Sequence, residues 1–242
     1  MSHFYVKPED IKENTFTISS EQAHYISTVR RFKSEDEIMI FDGIGNSYKA
    51  KIISINRNII IGNILSSSYK MPKIIVKLYT SIPKGDRFEW LIEKCAEIGV
   101  SEIVPINTKR SVKICFSRNK LDRYVKISIA ASSQCGRNDI MKINEPIDFK
   151  TACKKAVSEK YSMNILSWEG ESKVSLNNLL VKSTFYGTNA FIGPEGGFEN
   201  EEVDFAKSLN IQTITLGDNI LRVETAAIVT SILVLNSLEI IK

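Results

Sequence analysis

The residues able to do chemistry are concentrated between Phe191 and Ile228. Two glycine turns lie there. One reads Phe191-Ile192-Gly193-Pro194-Glu195-Gly196-Gly197-Phe198-Glu199. The other reads Ile214-Thr215-Leu216-Gly217-Asp218-Asn219-Ile220-Leu221-Arg222-Val223-Glu224-Thr225-Ala226-Ala227. Each follows an apolar run and opens a helical one. Ligands of open α/β sheets bind beyond the carboxyl ends of the strands, so the two turns are expected to build one small-molecule pocket. A helix N-terminus normally favours an anion, through its free N–H groups and its dipole. Here Glu195, Glu199, Glu201 and Glu202 crowd that end and would repel a pyrophosphate. The chain also lacks G-x-G-x-x-G and G-x-x-x-x-G-K-[ST]. These features point away from NAD, FAD and ATP, and towards a neutral or cationic ligand held by backbone groups. The plainer alternative is that each turn is only a tight connection.

Strands and helices must position these turns, and from Lys73 onward the two alternate. Ile74–Tyr79 reads as a strand, followed by Asp86 as a helix N-cap. Phe88, Leu91, Ile92, Cys95, Ala96 and Ile98 recur at helical spacing, and Gly99 is a natural stop. Glu102–Ile106 is the next strand, in which Pro105 suggests an edge position or a strand end. A helix is expected over Leu121–Ser133. Strands are expected within Tyr161–Trp168, Thr188–Ile192 and Gln212–Leu216, and a last helix from Glu224 to about Ile241. Such alternation predicts a mostly parallel sheet with helices on both faces. The last helix is apolar nearly all round, which predicts burial against the sheet and against a second subunit.

The first part of the chain has another rhythm. Glu37–Phe41, Tyr48–Ile55 and Ile59–Leu65 read as short strands separated by the turns Asp42–Asn46 and Asn56–Asn58. That pattern suggests a small barrel or meander. Ser19-Ser20-Glu21-Gln22 reads as a capping box opening a helix towards Val29. Arg30, Arg31 and Lys33 end it. They either complement the helix dipole or grip phosphates, with Lys49, Lys51 and Arg57 extending the patch. His24 reads as a partly buried structural residue. Ser66-Ser67-Ser68 reads as a linker before Pro72, dividing the chain into residues 1–70 and 71–242.

Composition sets wider bounds. The chain has 242 residues, 43% hydrophobic and 25% charged, the balance of a soluble globular protein of one or two domains. Its net charge of +4 permits a polyanion partner without requiring one. Cys95, Cys115, Cys135 and Cys153 are widely spaced, and His3 and His24 are the only histidines. Free thiols in a cytosolic protein are expected, and no metal site. No secretory signal pattern opens the chain. The most apolar run, Ala226–Leu235, falls short of the roughly 20 residues of a membrane span.

Ile192–Phe198, followed by Leu216-Gly217, Ile220-Leu221-Arg222 and Glu224-Thr225-Ala226, resembles the signature of the RsmE family. These are SPOUT-superfamily methyltransferases acting on N3 of a uridine in small-subunit (16S) ribosomal RNA. Lys84–Arg87, Lys94, Glu97, Gly99-Val100 and Pro105 resemble the family's first body helix and following strand, and Gln134–Arg137 a further motif. His24, Val29, Arg31 and Asp36 resemble its head pattern. The chain departs from the pattern at His3, Arg30, Ser133 and Asn219, and at Glu35, where glycine is usual.

The resemblance implies an α/β fold. Its core would be a SPOUT-type trefoil-knotted parallel sheet with helices on both faces, preceded by a small PUA-like β-barrel domain that helps grip RNA. It implies S-adenosyl-L-methionine as cofactor, a cytoplasmic homodimer with no membrane partner, and small-subunit ribosomal RNA, within the assembled subunit, as substrate. Cofactor contacts are then expected from Ile192, Gly193, Pro194, Glu195, Gly196, Leu216, Gly217, Asn219, Ile220, Leu221, Arg222 and Thr225. RNA contacts are expected from Arg30, Arg31, Lys33, Lys84, Arg87 and Arg137. N3 of uracil carries a proton, so attack needs a base or a cation that stabilises the anion. Arg222 fits the second role, or else an ion pair with Glu195 or Glu224. Glu195 is a candidate base or a loop-orienting group, with water as the other proton acceptor. The rival functions are methylation of another RNA site and a non-catalytic, RNA-binding role in ribosome assembly.

Overall fold

The structure is a computed structural model that describes residues 3–56, 58–72, 74–159, 162–176, 179 and 187–237. The chain forms two compact units. One comprises Met1–Met71 with Ile129–Ile140, the other Pro72–Ser128 with Met141–Lys242.

In the first unit, strands β1 (His3–Tyr5), β2 (Ile11–Lys12), β3 (Thr15–Ser19), β4 (Glu37–Phe41), β5 (Asn46–Asn56) and β6 (Ile59–Tyr69) form one sheet, in the order β1-β4-β5-β6-β3-β2. Only the β1–β4 pair is parallel. Alternate residues turn inward: Phe16 and Ile18 on β3, Ile38 and Ile40 on β4, Ala50 and Ile52 on β5. They enclose Ala23 and Ile26 of a short helix, α1 (Ser20–His24), which continues as a wider turn through Val29.

Three expectations for this unit are corrected. Ser66–Ser68 is not a linker but the last stretch of β6, paired with β5, with the hydroxyls of Ser47 and Ser68 2.9 Å apart. Polar side chains do not end a strand whose backbone groups are paired across a ladder. The capping box does not form, because Ser20 enters the helix at φ 62° and Ser19 makes no side-chain cap bond. His24 is exposed, its Nδ1 3.3 Å from the Thr28 hydroxyl. Arg57 lies outside the described residues.

The second unit is an all-parallel sheet in the order β10-β8-β7-β12-β11-β13, with β9 also pairing β8. Its strands are β7 (Ile75–Thr80), β8 (Glu102–Asn107), β9 (Lys142–Ile143), β10 (Ile147–Asp148), β11 (Ser162–Ser167), β12 (Gly187–Ile192) and β13 (Gln212–Ile214). The helices are α2 (Arg87–Ile98), α3 (Arg118–Cys135), of which the residues from Ile129 belong to the first unit, α4 (Phe149–Ser158), α5 (Asn200–Ser208) and α6 (Val223–Ser237). Helix α2 stops at Gly99, φ 102°, as its sequence requires. Pro105 is not on an edge strand. It falls where the outer partner of β8 changes from β9, at Ile103, to β10, at Ile106, so the ladder is interrupted beside it. Helix α4 went unread, although Phe149, Ala152, Cys153 and Ala156 form a buried face and Asp148 caps it, accepting from the Thr151 N–H at 2.9 Å.

The core of this sheet explains its long apolar runs. Tyr79 and Phe191, on neighbouring strands, stack with ring centroids 4.6 Å apart, and Phe149, Phe198, Val203 and Leu166 close around them. Each such side chain contributes about 1.5–3 kcal/mol on full burial. Burial raises the Tyr79 hydroxyl well above its usual pKa and, with Glu202 and Asp148 nearby, pushes the Cys153 thiol up to about 12. All four cysteines are free thiols.

Candidate active site

The site starts from register. Thr80, Ile192, Ser167 and Ile214 stand side by side at the carboxyl ends of β7, β12, β11 and β13. The loops that follow therefore leave the sheet at one level. Backbone bonds tie their first residues down: Ser81 N–H to the Ile192 carbonyl and Trp168 N–H to the Ile214 carbonyl, both 3.0 Å. Strand β12 inserts between β7 and β11, so strand order reverses here, as in other α/β ligand sites.

Between the loops is a cavity of about 300 Å³. Its walls include Ile192, Gly193, Pro194, Glu195 and Gly196 from the first turn, and Leu216, Gly217, Asn219, Ile220 and Leu221 from the second. Two of the expected contacts are not in the wall. Arg222 and Thr225 are exposed on the neighbouring surface. Sequence reasoning missed Ser167, Trp168 and Glu169, which also line the cavity. The signal was present, since these residues end a strand whose carboxyl end had to face the same way as the others.

The glycines divide the work differently from the sequence reading, which stressed Gly193 and Gly196. Gly197 is the most constrained. It sits at φ 70°, and a Cβ there would lie 1.8 Å from Glu169 Oε1. A Cβ on Gly196 would meet only the Arg110 side chain, at 3.4 Å. In the second turn Gly217 has φ 107°, a conformation that other residues rarely adopt.

The carboxylates are also arranged differently. Arg110 Nε donates to Glu199 at 2.8 Å and its Nη1 to the Gly196 carbonyl at 2.7 Å. Lys109 pairs with Glu201, and Glu202 accepts from the backbone N–H groups of Lys109 and Glu199. Arg87, not Arg222, faces Glu195 at 3.6 Å and Glu224 at 3.4 Å. The glutamates expected to repel a phosphate are thus largely neutralised, and repulsion by them is weaker than their number suggests. The cavity wall itself carries Glu169, Glu195 and Asp218 and, among the described residues, no lysine or arginine. It favours a cation. The N–H groups of Leu216 and of Asp218–Leu221 find no backbone partner among the described residues.

The other expected RNA contacts fall in two classes. Arg30, Arg31, Lys33 and Lys84 are exposed. Arg137 is largely buried and paired with Asp139, in a segment bonded to the Gly43–Gly45 turn. Lys49 and Lys51 pair with Glu37 and Glu35.

A family model described as an RNA methyltransferase domain matches residues 70–235, and one described as an RNA methyltransferase PUA domain matches residues 18–65. A ribosomal RNA small subunit methyltransferase E from Mesomycoplasma hyopneumoniae is 36% identical over 237 residues, 94% of this chain and 96% of that protein. The chain belongs to the RNA methyltransferase E family. A Bacillus subtilis member is 28% identical over 222 residues, 88% of this chain and 86% of its own. Among solved members, the Neisseria gonorrhoeae enzyme bound to S-adenosyl methionine superimposes with a TM-score of 0.87 at 25% identity, covering 98% of each chain. A Legionella pneumophila methyltransferase in complex with SAM gives 0.84 at 26% identity, covering 97% of each. The family's two-part architecture, a PUA-like head before an α/β methyltransferase body, is therefore that of this chain.

Proposed function

We propose that this chain transfers a methyl group from S-adenosyl-L-methionine to N3 of a uridine in 16S ribosomal RNA. The observation that carries the reading is the cavity between the two glycine turns, walled by backbone groups and carboxylates. A phosphate-free ligand with a sulfonium cation suits it. The bound cofactor would supply an electrophilic methyl group. The chain's own part is to hold and orient. On this reading backbone groups of Leu216 to Leu221 take up the adenine edge, Gly193 and Gly197 let the loop close over the ligand, and Ser167–Glu169, which line the cavity, form a further wall. Correct positioning alone supplies up to about 7–11 kcal/mol of barrier reduction. Exposed Arg222, beside the cavity, is suited to stabilise a uracil anion; Glu195, in the wall, is suited to accept the N3 proton or to orient the loop.

The RNA is gripped by Arg30, Arg31, Lys33 and Lys84, and the substrate is the assembled small subunit in the cytoplasm. Among the described residues no helix is long and apolar enough to cross a membrane. On this reading the crossing of the chain from β12 past β11 to β13, with α6 returning beneath β7 and β12, belongs to a trefoil knot. The active form is a homodimer. Its support is a stripe on α6 of Thr225, Ile228, Ile232 and Asn236, spaced as one helix face, with Ile232 37% exposed, and Ile220 86% exposed at the cavity rim. Mass spectrometry of 16S ribosomal RNA from cells with and without the protein tests the reading. Loss of one N3-methyluridine is expected; an unchanged profile would overturn it.

A further inference from the structure

We propose that Arg87 is a positioning residue that latches the two loops of the cavity to each other, acting through Glu195 and Glu224. The inference rests on the cofactor reading above and deepens it.

Three nitrogens of Arg87 are engaged. Nε donates to the Lys84 carbonyl at 3.0 Å, which fixes the guanidinium against its own turn. Nη1 lies 3.4 Å from Glu224 Oε1, and Nη2 3.6 Å from Glu195 Oε1. The two carboxylates come from different parts of the site, one from the first loop and one from the first turn of α6, where the second loop ends. Glu195 lies in the first and lines the cavity; Glu224 follows Val223, a wall residue at the end of the second. A planar fork can address two carboxylates at once, which a lysine ammonium on a flexible stem does poorly.

The two ends of the latch differ. Glu224 is 8% exposed, and its Oε2 is buried without a hydrogen-bond partner among the described residues. A buried carboxylate with one unsatisfied oxygen depends heavily on the cation beside it. Arg87 cannot swing out to an RNA phosphate without stranding that charge. The Glu195 side chain is 40% exposed, so its contact is the weaker one. The arginine is thus anchored on α6 and holds the first loop by its outer arm. Breaking the arm leaves both loops folded but lets the cavity widen, which lowers affinity for whatever the cavity holds.

Calorimetry with S-adenosyl-L-methionine tests this. Arg87→Gln alone would leave Glu224 unpaired and endanger folding, so it is combined with Glu224→Gln. Glu195→Gln is the second variant, and all three changes together complete the cycle. Loss of a half-exposed pair is expected to raise the cofactor Kd about three- to fivefold in Glu195→Gln. In the triple variant the two effects are expected to combine to less than their product, since the arm can be lost only once and what remains is the loss of the Glu195 charge from the cavity wall. Affinity for 16S ribosomal RNA stays at the wild-type value. Effects that multiply in the triple variant would overturn the latch. So would an unchanged cofactor Kd with weakened RNA binding, which would make Arg87 an RNA contact. A wild-type chain that fails to bind the cofactor would overturn the cofactor reading and the latch together.

Discussion

At the scale of single residues, the site depends on space that only glycine leaves. Of the four glycines in the two turns the sequence reading singled out Gly193 and Gly196 for close approach, and the structure ranks them otherwise, by what surrounds each. Gly197 carries both a positive φ and the Glu169 carboxylate against its Cα. Gly197→Ala is expected to lower affinity for S-adenosyl-L-methionine by about tenfold or more, because backbone and carboxylate must both give way. Calorimetry on the variant checks this, and full affinity would return the glycine to a mere turn. Gly196 tolerates more, because the atom opposite it belongs to the flexible Arg110 side chain. The head holds the converse case. Glu35, one of the departures from the pattern that the sequence resembles, adopts φ 77°. Glu35→Gly is expected to stabilise the protein by up to about 1 kcal/mol through relief of left-handed strain, less the exposed ion pair with Lys51. Chemical denaturation reads the shift in midpoint.

Elements are held in place by their ends. Helix α4 starts at Asp148, whose carboxyl is held below the usual range by hydrogen bonds from the Thr151 side chain and backbone. A depressed carboxylate pKa contributes stability above the unfolded-state value, near 3.9, and loses it as pH falls through the folded value. Asp148→Ala should therefore cost about 1 kcal/mol at neutral pH, and the difference from wild type should shrink below about pH 4. Denaturation midpoints at pH 7 and pH 3 give the comparison; an equal gap at both would deny the cap its charge. This helix was missed because, after Phe149, its buried face is made of the small residues Ala152, Cys153 and Ala156, set among lysines. The strands of the body were legible because both faces are buried, which writes a continuous apolar run into the sequence. Ser66–Ser68 was misread because a strand whose stability comes from its ladder need not advertise itself in side chains.

The whole molecule presents two surfaces with work to do. One is the exposed cationic end of the first helix, where Arg31→Ala is expected to weaken binding to 16S ribosomal RNA about two- to tenfold and to reduce its salt slope by about one. Cofactor affinity should not change, and filter binding across a salt series distinguishes the outcomes. The other is the stripe of α6 formed by Thr225, Ile228, Ile232 and Asn236. A charge there should separate subunits, so Ile232→Glu is expected to convert a dimer into a monomer in analytical ultracentrifugation and to lower methylation. A dimer that persists would place the subunit contact elsewhere.

By itself, the sequence determined the class of the body, the two turns that wall the cavity and the family, since strand periodicity and glycine motifs are local properties carried by neighbouring residues. Only the tertiary structure decided which cations are free. Arg87 and Arg110 look like Arg31 in the sequence, but each meets acceptors brought from elsewhere by the fold, Glu195 and Glu224 for the one, Glu199 and the Gly196 carbonyl for the other, whereas Arg137 is held by its near neighbour Asp139. Most of these partners are distant in the chain, and spacing along a sequence carries no information about a charge that arrives across space.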